Sequence, residues 1–150
     1  MIGGVDDEAV WNKYREELIR YASMLVGPVD AEDLLSSVVL RVLSRRQLSD
    51  LDDPRSYLYK SVTNEARSLI RWRRKRLPRT RMEMTPADVE PDVLGAVLGL
   101  PNRQRAAVYL TYWRDLPVRE VASLMGCSTG SVKRYLHIAR SKLREVLEDD

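Results

Sequence analysis

Between Arg67 and Arg81 the chain reads RSLIRWRRKRLPRTR, eight cationic side chains in fifteen residues with Trp72 among them. Such a run suits phosphate neutralisation with release of condensed counterions. An indole set among the cations adds stacking on an unpaired base, worth about 1–3 kcal/mol. Two other uses compete. Cations favour a helix C-terminus in any protein, although one or two suffice there, and the same run would also fit an acidic protein surface.

A second stretch with chemical capacity is MGCSTGSVKRYLHIAR, residues 125–140. Val132, Leu136, Ala139 and Leu143 recur at helical spacing and define an apolar stripe. The opposite face carries Gly130, Arg134, His137 and Ser141, with Ser131 and Lys133 flanking. Ser128 is placed to cap this helix, and Gly126 suits the left-handed position that closes the preceding one. Upstream, Val118, Val121, Ala122 and Met125 give another short amphipathic helix. Two helices joined by a tight turn form a helix-turn-helix, whose second helix reads a major groove. An αα-hairpin with a solvated basic face is the competing reading. On the groove reading, Arg134, His137 and Ser141 reach base edges. Lys133 and Arg140, nearer the flanks, contact phosphates, which position without specifying.

Catalytic and metal chemistry find few residues. His137 is the only histidine and Cys127 the only cysteine, so neither an internal disulfide nor a multi-cysteine zinc site can form. There is no Gly-rich phosphate loop. No cofactor, no metal site and no enzymatic activity are expected. With no signal peptide and no apolar run of membrane-spanning length, a cytoplasmic protein is expected, without membrane insertion.

The elements that must position these residues read as helices throughout. Residues 7–26 place Trp11, Tyr14, Leu18, Tyr21 or Ala22, and Leu25 on one face, and Gly27-Pro28 ends that helix. Asp30 is expected to cap a second helix, with Leu34, Leu35, Val38, Val42 and Leu43 inward. QLSDLDDP reads as a loop. Asp53-Pro54 starts a third helix running into the cationic stretch, with Leu58, Val62, Ala66 and Leu69 inward. Pro78, Pro86 and Pro91 mark a linker. Helices follow at Val93–Leu98 and from Asn102 to about Arg114. The expected architecture is all-α. Two small helical domains, 5–77 and 93–147, are joined by a short proline-containing linker at 78–92. Charge is uneven: residues 1–50 carry a net −3, while 51–100 and 101–150 each carry +3. A polyanion is therefore expected at the later parts.

With these residues in hand, the chain resembles bacterial RNA polymerase sigma factors of the extracytoplasmic-function (ECF) group, in the sigma-70 family, over nearly its whole length. PVDAEDLLSSVVLRVLSRR resembles the helix of sigma region 2 that binds the clamp helices of core RNA polymerase. LDDPRSYLYKSVTNEARSLIRWRRKR resembles the segment that reads and opens the −10 element. The stretch from Leu100 to Leu147 resembles region 4, which reads the −35 element. The resemblance implies polymerase contacts at Asp30, Glu32, Asp33, Ser37 and Arg41. It implies −10 contacts at Asn64, Arg67, Arg71, Trp72, Arg73 and Arg74, with residues 46–52 shaping a pocket for a flipped base. It implies −35 contacts at Ser131, Lys133, Arg134, His137, Arg140 and Ser141. Four positions depart from the family pattern. Ser36-Ser37 stand where a pair such as Gln-Glu is usual, Thr63 precedes Asn64 where Arg is usual, and Ser68 replaces an Asp.

The implied function is transcription initiation: binding core polymerase through its clamp helices and the flap of its large subunits, directing it to promoter DNA, and helping strand opening. The family also implies an anti-sigma factor as partner. A helix-turn-helix regulator, or a sigma-like co-regulator that does not itself initiate, is the alternative.

Overall fold

The computed structural model describes residues 5–76 and 93–148, and no strand occurs among them. The order is α1 (Val5–Val26), α2 (Pro28–Arg45), a 3₁₀ turn (Leu48–Asp50), α3 (Pro54–Arg76), α4 (Val93–Leu98), α5 (Asn102–Val108), a π-helical turn (Tyr109–Trp113), α6 (Val118–Met125) and α7 (Thr129–Glu148). The expected all-α architecture is observed. The linker expected at 78–92 lies outside the described residues. Compact packing divides the chain into two units, chiefly within α3 after Arg67.

In the first unit, α1 and α2 are separated only by Gly27, which takes φ +90. The expected cap at Asp30 is not observed. Helix α2 already begins at Pro28, because the ring fixes φ in the helical range and its missing N–H would have had no partner at that position. Asp30 becomes a first-turn acid, where the helix dipole favours it. The core interleaves Leu18, Tyr21, Ala22 and Leu25 of α1 with Leu34, Leu35 and Val38 of α2 and Leu58, Tyr59, Val62 and Ala66 of α3. Each large apolar side chain buried this way stabilises by about 1.5–3 kcal/mol. The Tyr21 and Tyr59 rings sit 4.9 Å apart. Thr63 Oγ1 donates to the Tyr59 carbonyl at 2.8 Å, which uses its single proton, so the Tyr21 hydroxyl donates to Thr63 Oγ1 at 2.7 Å. Among the described residues three ion pairs join elements at the margin: Arg55 to Glu17 at 2.8 Å, Arg41 of α2 to Glu65 of α3 at 2.6 Å, and Arg15 of α1 to Glu32 of α2 at 3.7 Å.

Asp53 caps α3 as expected, its Oδ1 accepting from the Ser56 N–H at 3.1 Å. The hydrogen bonds from Ser56 hold its carboxyl below the usual carboxylate range, outweighing the opposing effect of partial burial. The segment expected as a plain loop contains the 3₁₀ turn, because Leu48 is drawn fully into the core.

In the second unit, α7 packs on α4 and α5 around Val97, Leu100, Ala106, Ala107, Leu110, Val132, Leu136 and Ala139. The helix expected to run from Asn102 to Arg114 widens into the π turn, where the Arg114 N–H donates to the Tyr109 carbonyl at 3.1 Å. Half-buried Arg105 donates to the Leu100 carbonyl at 2.9 Å, which pins α5 to the segment that follows α4.

Candidate nucleic-acid interface

Helices α6 and α7 form the helix-turn-helix. Gly126 takes φ +71 immediately after α6, and the Cys127 N–H returns to the Ala122 carbonyl at 3.0 Å. Ser128 Oγ then accepts from the Ser131 N–H at 3.1 Å, capping α7. Cys127 is half-buried in this turn. Burial pushes its thiol pKa up, against the opposing pull of the Arg103 charge, so it is a protonated packing residue at neutral pH.

The α7 face opposite the core carries exposed Arg134, His137 and Ser141. The Ser141 hydroxyl donates to the His137 carbonyl at 3.2 Å and so presents lone pairs outward. Ser131 is half-buried, its N–H and hydroxyl both engaged with Ser128. Lys133 is exposed on the flank. Arg140, on the same flank, is already engaged: its Nε and Nη2 donate to the Tyr112 hydroxyl at 2.9 and 2.6 Å. The π turn makes this possible by shifting Tyr112 and Trp113 to the surface, where both are about half exposed. Beside that pair lies an apolar groove of about 650 Å³, floored by Val93, Val97, Val108 and Leu143, with Arg140 and Arg144 on its rim.

On α3, turning at roughly 100° per residue, Asn64, Arg67, Arg71 and Arg74 fall within an arc of roughly 80°. All four are exposed. Among the described residues, no ion pair involves any of these arginines. Trp72 is half exposed and lies roughly 80° beyond the Asn64 edge of the arc, with the Arg76 guanidinium 5.6 Å from its ring centroid. Arg73 does not join them. It lies roughly 180° from Asn64, on the side of Val62 and Leu69, because three consecutive residues cannot share a helix face. It is half-buried, and desolvation pulls its pKa down. Lys60, one turn before Asn64, is exposed on the same arc. The sequence reading missed it, although the spacing of four residues was a usable signal.

The candidate polymerase contacts lie on α2. Glu32, Asp33, Ser36 and Ser37 are exposed, and Asp30 is half-buried. Arg41 is committed to the Glu65 pair. The sequence reading missed the apolar members of this surface, Val29 at 87% and Leu40 at 64% exposure. Leu40 borders a groove of about 360 Å³ between α1 and α2, together with Trp11, Ile19, Ser36 and Val39.

A helix-turn-helix with an outward cationic face, in one chain with a second helix carrying a cationic arc, defines a nucleic-acid-binding protein of the helix-turn-helix class. Comparison with known proteins gives the family. The description "Sigma-70 region 2" matches residues 10–76 and "Sigma-70, region 4" matches residues 92–143. The RNA polymerase sigma-E factor of Streptomyces avermitilis is 32% identical over 89% of this chain and 80% of its own length. The ECF RNA polymerase sigma factor SigL of Mycobacterium tuberculosis is 27% identical over 94% of this chain and 88% of its own. In three dimensions the fold is that of the sigma factor RpoE from Bartonella quintana, solved in complex with the anti-sigma factor NepR. The TM-score is 0.68 at 20% identity, covering 97% of this chain and 98% of that one. The chain belongs to the sigma-70 family of RNA polymerase sigma factors, in the ECF group, whose members direct transcription initiation at promoters.

Proposed function

We propose that this chain docks on core RNA polymerase and directs it to a specific set of promoters, with no catalysis of its own. In this reading the exposed side of α2, with Asp33, Ser36, Ser37 and Leu40, meets the clamp helices. The apolar groove rimmed by Arg140 and Arg144 takes the flap of the large subunit, the two cations suiting an amphipathic helix with acidic edges. Arg134, His137 and Ser141 read the −35 element from the major groove, while Ser131, Lys133 and Arg140 fix the register on phosphates. Asn64 and the 46–52 segment hold bases taken out of the −10 stack, which offsets an unstacking cost of a few kcal/mol. Arg67, Arg71 and Arg74 neutralise the strand's phosphates and Trp72 stacks, whereas half-buried Arg73 has no such role. An anti-sigma factor is the proposed regulator, as in the complexes solved for structurally similar sigma factors.

The observation that carries this reading is the pair of cationic helical faces, on α3 and α7, in a chain matching both sigma regions. Run-off transcription with purified bacterial core polymerase and a genomic fragment library tests it. Discrete promoter-dependent transcripts are expected, and Leu40→Asp should abolish both transcripts and co-elution with core. The short hydroxyls at Ser36-Ser37, exposed where the family carries longer groups, favour one second reading, a co-regulator that occupies polymerase without initiating. Co-elution with core but no transcripts would select it.

A further inference from the structure

The segment 46–52 is held in place by a residue outside every motif above. Asp7, in the opening turns of α1, is only 2% exposed. Its Oδ1 accepts the Ser49 N–H at 3.0 Å across 42 residues of sequence. Among the described residues its Oδ2 is buried with no hydrogen-bond partner. Removing a carboxylate oxygen from water without a partner is unfavourable, so the contact persists only because the bond to Ser49 and the packing around it hold the side chain there.

The segment has few internal constraints. Two turn hydrogen bonds, Asp50 N–H to Gln47 carbonyl at 3.1 Å and Leu51 N–H to Leu48 carbonyl at 3.2 Å, shape it. Leu48 anchors one side in the core, and Arg46 lies 5.4 Å over the Tyr57 ring at its start. Between those anchors, Gln47, Ser49, Asp50 and Asp52 are exposed. The Asp7 carboxylate is the polar tie that fixes the backbone of the exposed tip.

We infer that Asp7 is a positioning residue for −10 recognition: its bond to the Ser49 amide sets where the exposed side chains of 47–52 stand, and therefore which bases are preferred there. The inference rests on the proposed reading of 46–52 as the −10 pocket.

The test uses the full chain with core polymerase and a promoter library randomised over the −10 element, with transcribed templates sequenced. Asp7→Ala should flatten the base preference at one or two −10 positions by about tenfold, the low end for losing a hydrogen bond to a charged group. Preference at −35 should stay within twofold. Asp7→Asn keeps an acceptor oxygen and should restore the parent preference. Asp7→Leu also removes the acceptor, and its near-isosteric apolar side chain fills the buried site without leaving an unpartnered oxygen. It should reproduce the Asp7→Ala profile, and it decides the matter if Asp7→Ala does not fold. Unchanged −10 preference in both, while Asn64→Ala alters it, overturns the role of Asp7 and leaves the −10 reading standing. Unchanged preference in all three removes the −10 reading and this inference with it. An Asp7→Asn profile matching Asp7→Ala overturns the hydrogen-bond tie.

Discussion

Replacing Arg67, Arg71 and Arg74 together by Gln puts the α3 arc to a quantitative test. None of the three is held in an ion pair among the described residues, and all are exposed on one side of the helix. If each neutralises one phosphate of a single strand, each contributes about 0.7 to the slope of log K against log salt. The triple variant should then bind with a slope shallower by about 2.1. Over a fourfold rise in salt the parent loses about 20-fold more affinity than the variant, close to 1.8 kcal/mol. Polymerase assembled with either chain, titrated against a promoter fragment already mismatched over −10, gives the difference directly, since contacts made by core cancel. Arg73→Gln serves as the control and should leave the slope unchanged, whatever it does to stability. A uniform loss of affinity with an unaltered slope would refute phosphate contact by the arc, and a slope change from Arg73→Gln would refute the division of the helix into two faces.

Three further outcomes follow from the packing. Thr63→Val withdraws the acceptor from the buried Tyr21 hydroxyl and should destabilise by about 1–3 kcal/mol; Tyr21→Phe should cost less, and the double variant less than the sum, measured by urea unfolding. Ser128→Ala removes the cap of α7 and should destabilise by about 1 kcal/mol, lowering the melting temperature by a few degrees and weakening −35 binding. Asp53 has a folded pKa below its unfolded value near 3.9, so its contribution is present above pH 4 and lost as pH falls through the lower folded value. Helicity followed by circular dichroism down to pH 2 should therefore depend less on pH in Asp53→Asn than in the parent.

Helix type and faces were legible in the sequence wherever apolar spacing ran for three turns or more, as in α1, α3 and α7. The caps at Asp53 and Ser128 and the positive φ at Gly126 were legible from residue chemistry alone. What escaped was set partly by competing local signals and partly by distant partners. The start of α2 at Pro28 overrode the local signal at Asp30. The π turn that brings Tyr112 to Arg140 has no period of its own to read. Arg73 looked equivalent to its neighbours as a letter in a cationic run, and only the helical phase separates it from them. Asp7 could not be singled out, because its partner is a backbone amide 42 positions away.

Helix α3 is one uninterrupted α-helix from Pro54 to Arg76, and that continuity makes it a gauge with a fixed phase. At about 1.5 Å of rise per residue, Arg67, Arg71 and Arg74 stand about 4.5, 10.5 and 15 Å along the axis from Asn64. A rod of this kind cannot slide one contact without moving the rest. Two alanines inserted after Arg67 would turn everything beyond it by about 200°, carrying Arg71 and Arg74 off the Asn64 side, whereas seven inserted residues would restore the azimuth while lengthening the gauge by about 10 Å. The first change alters direction and the second alters span, so the pair of insertions separates what an alanine scan merges: whether a strand is recognised by which way the cations point or by how far apart they stand.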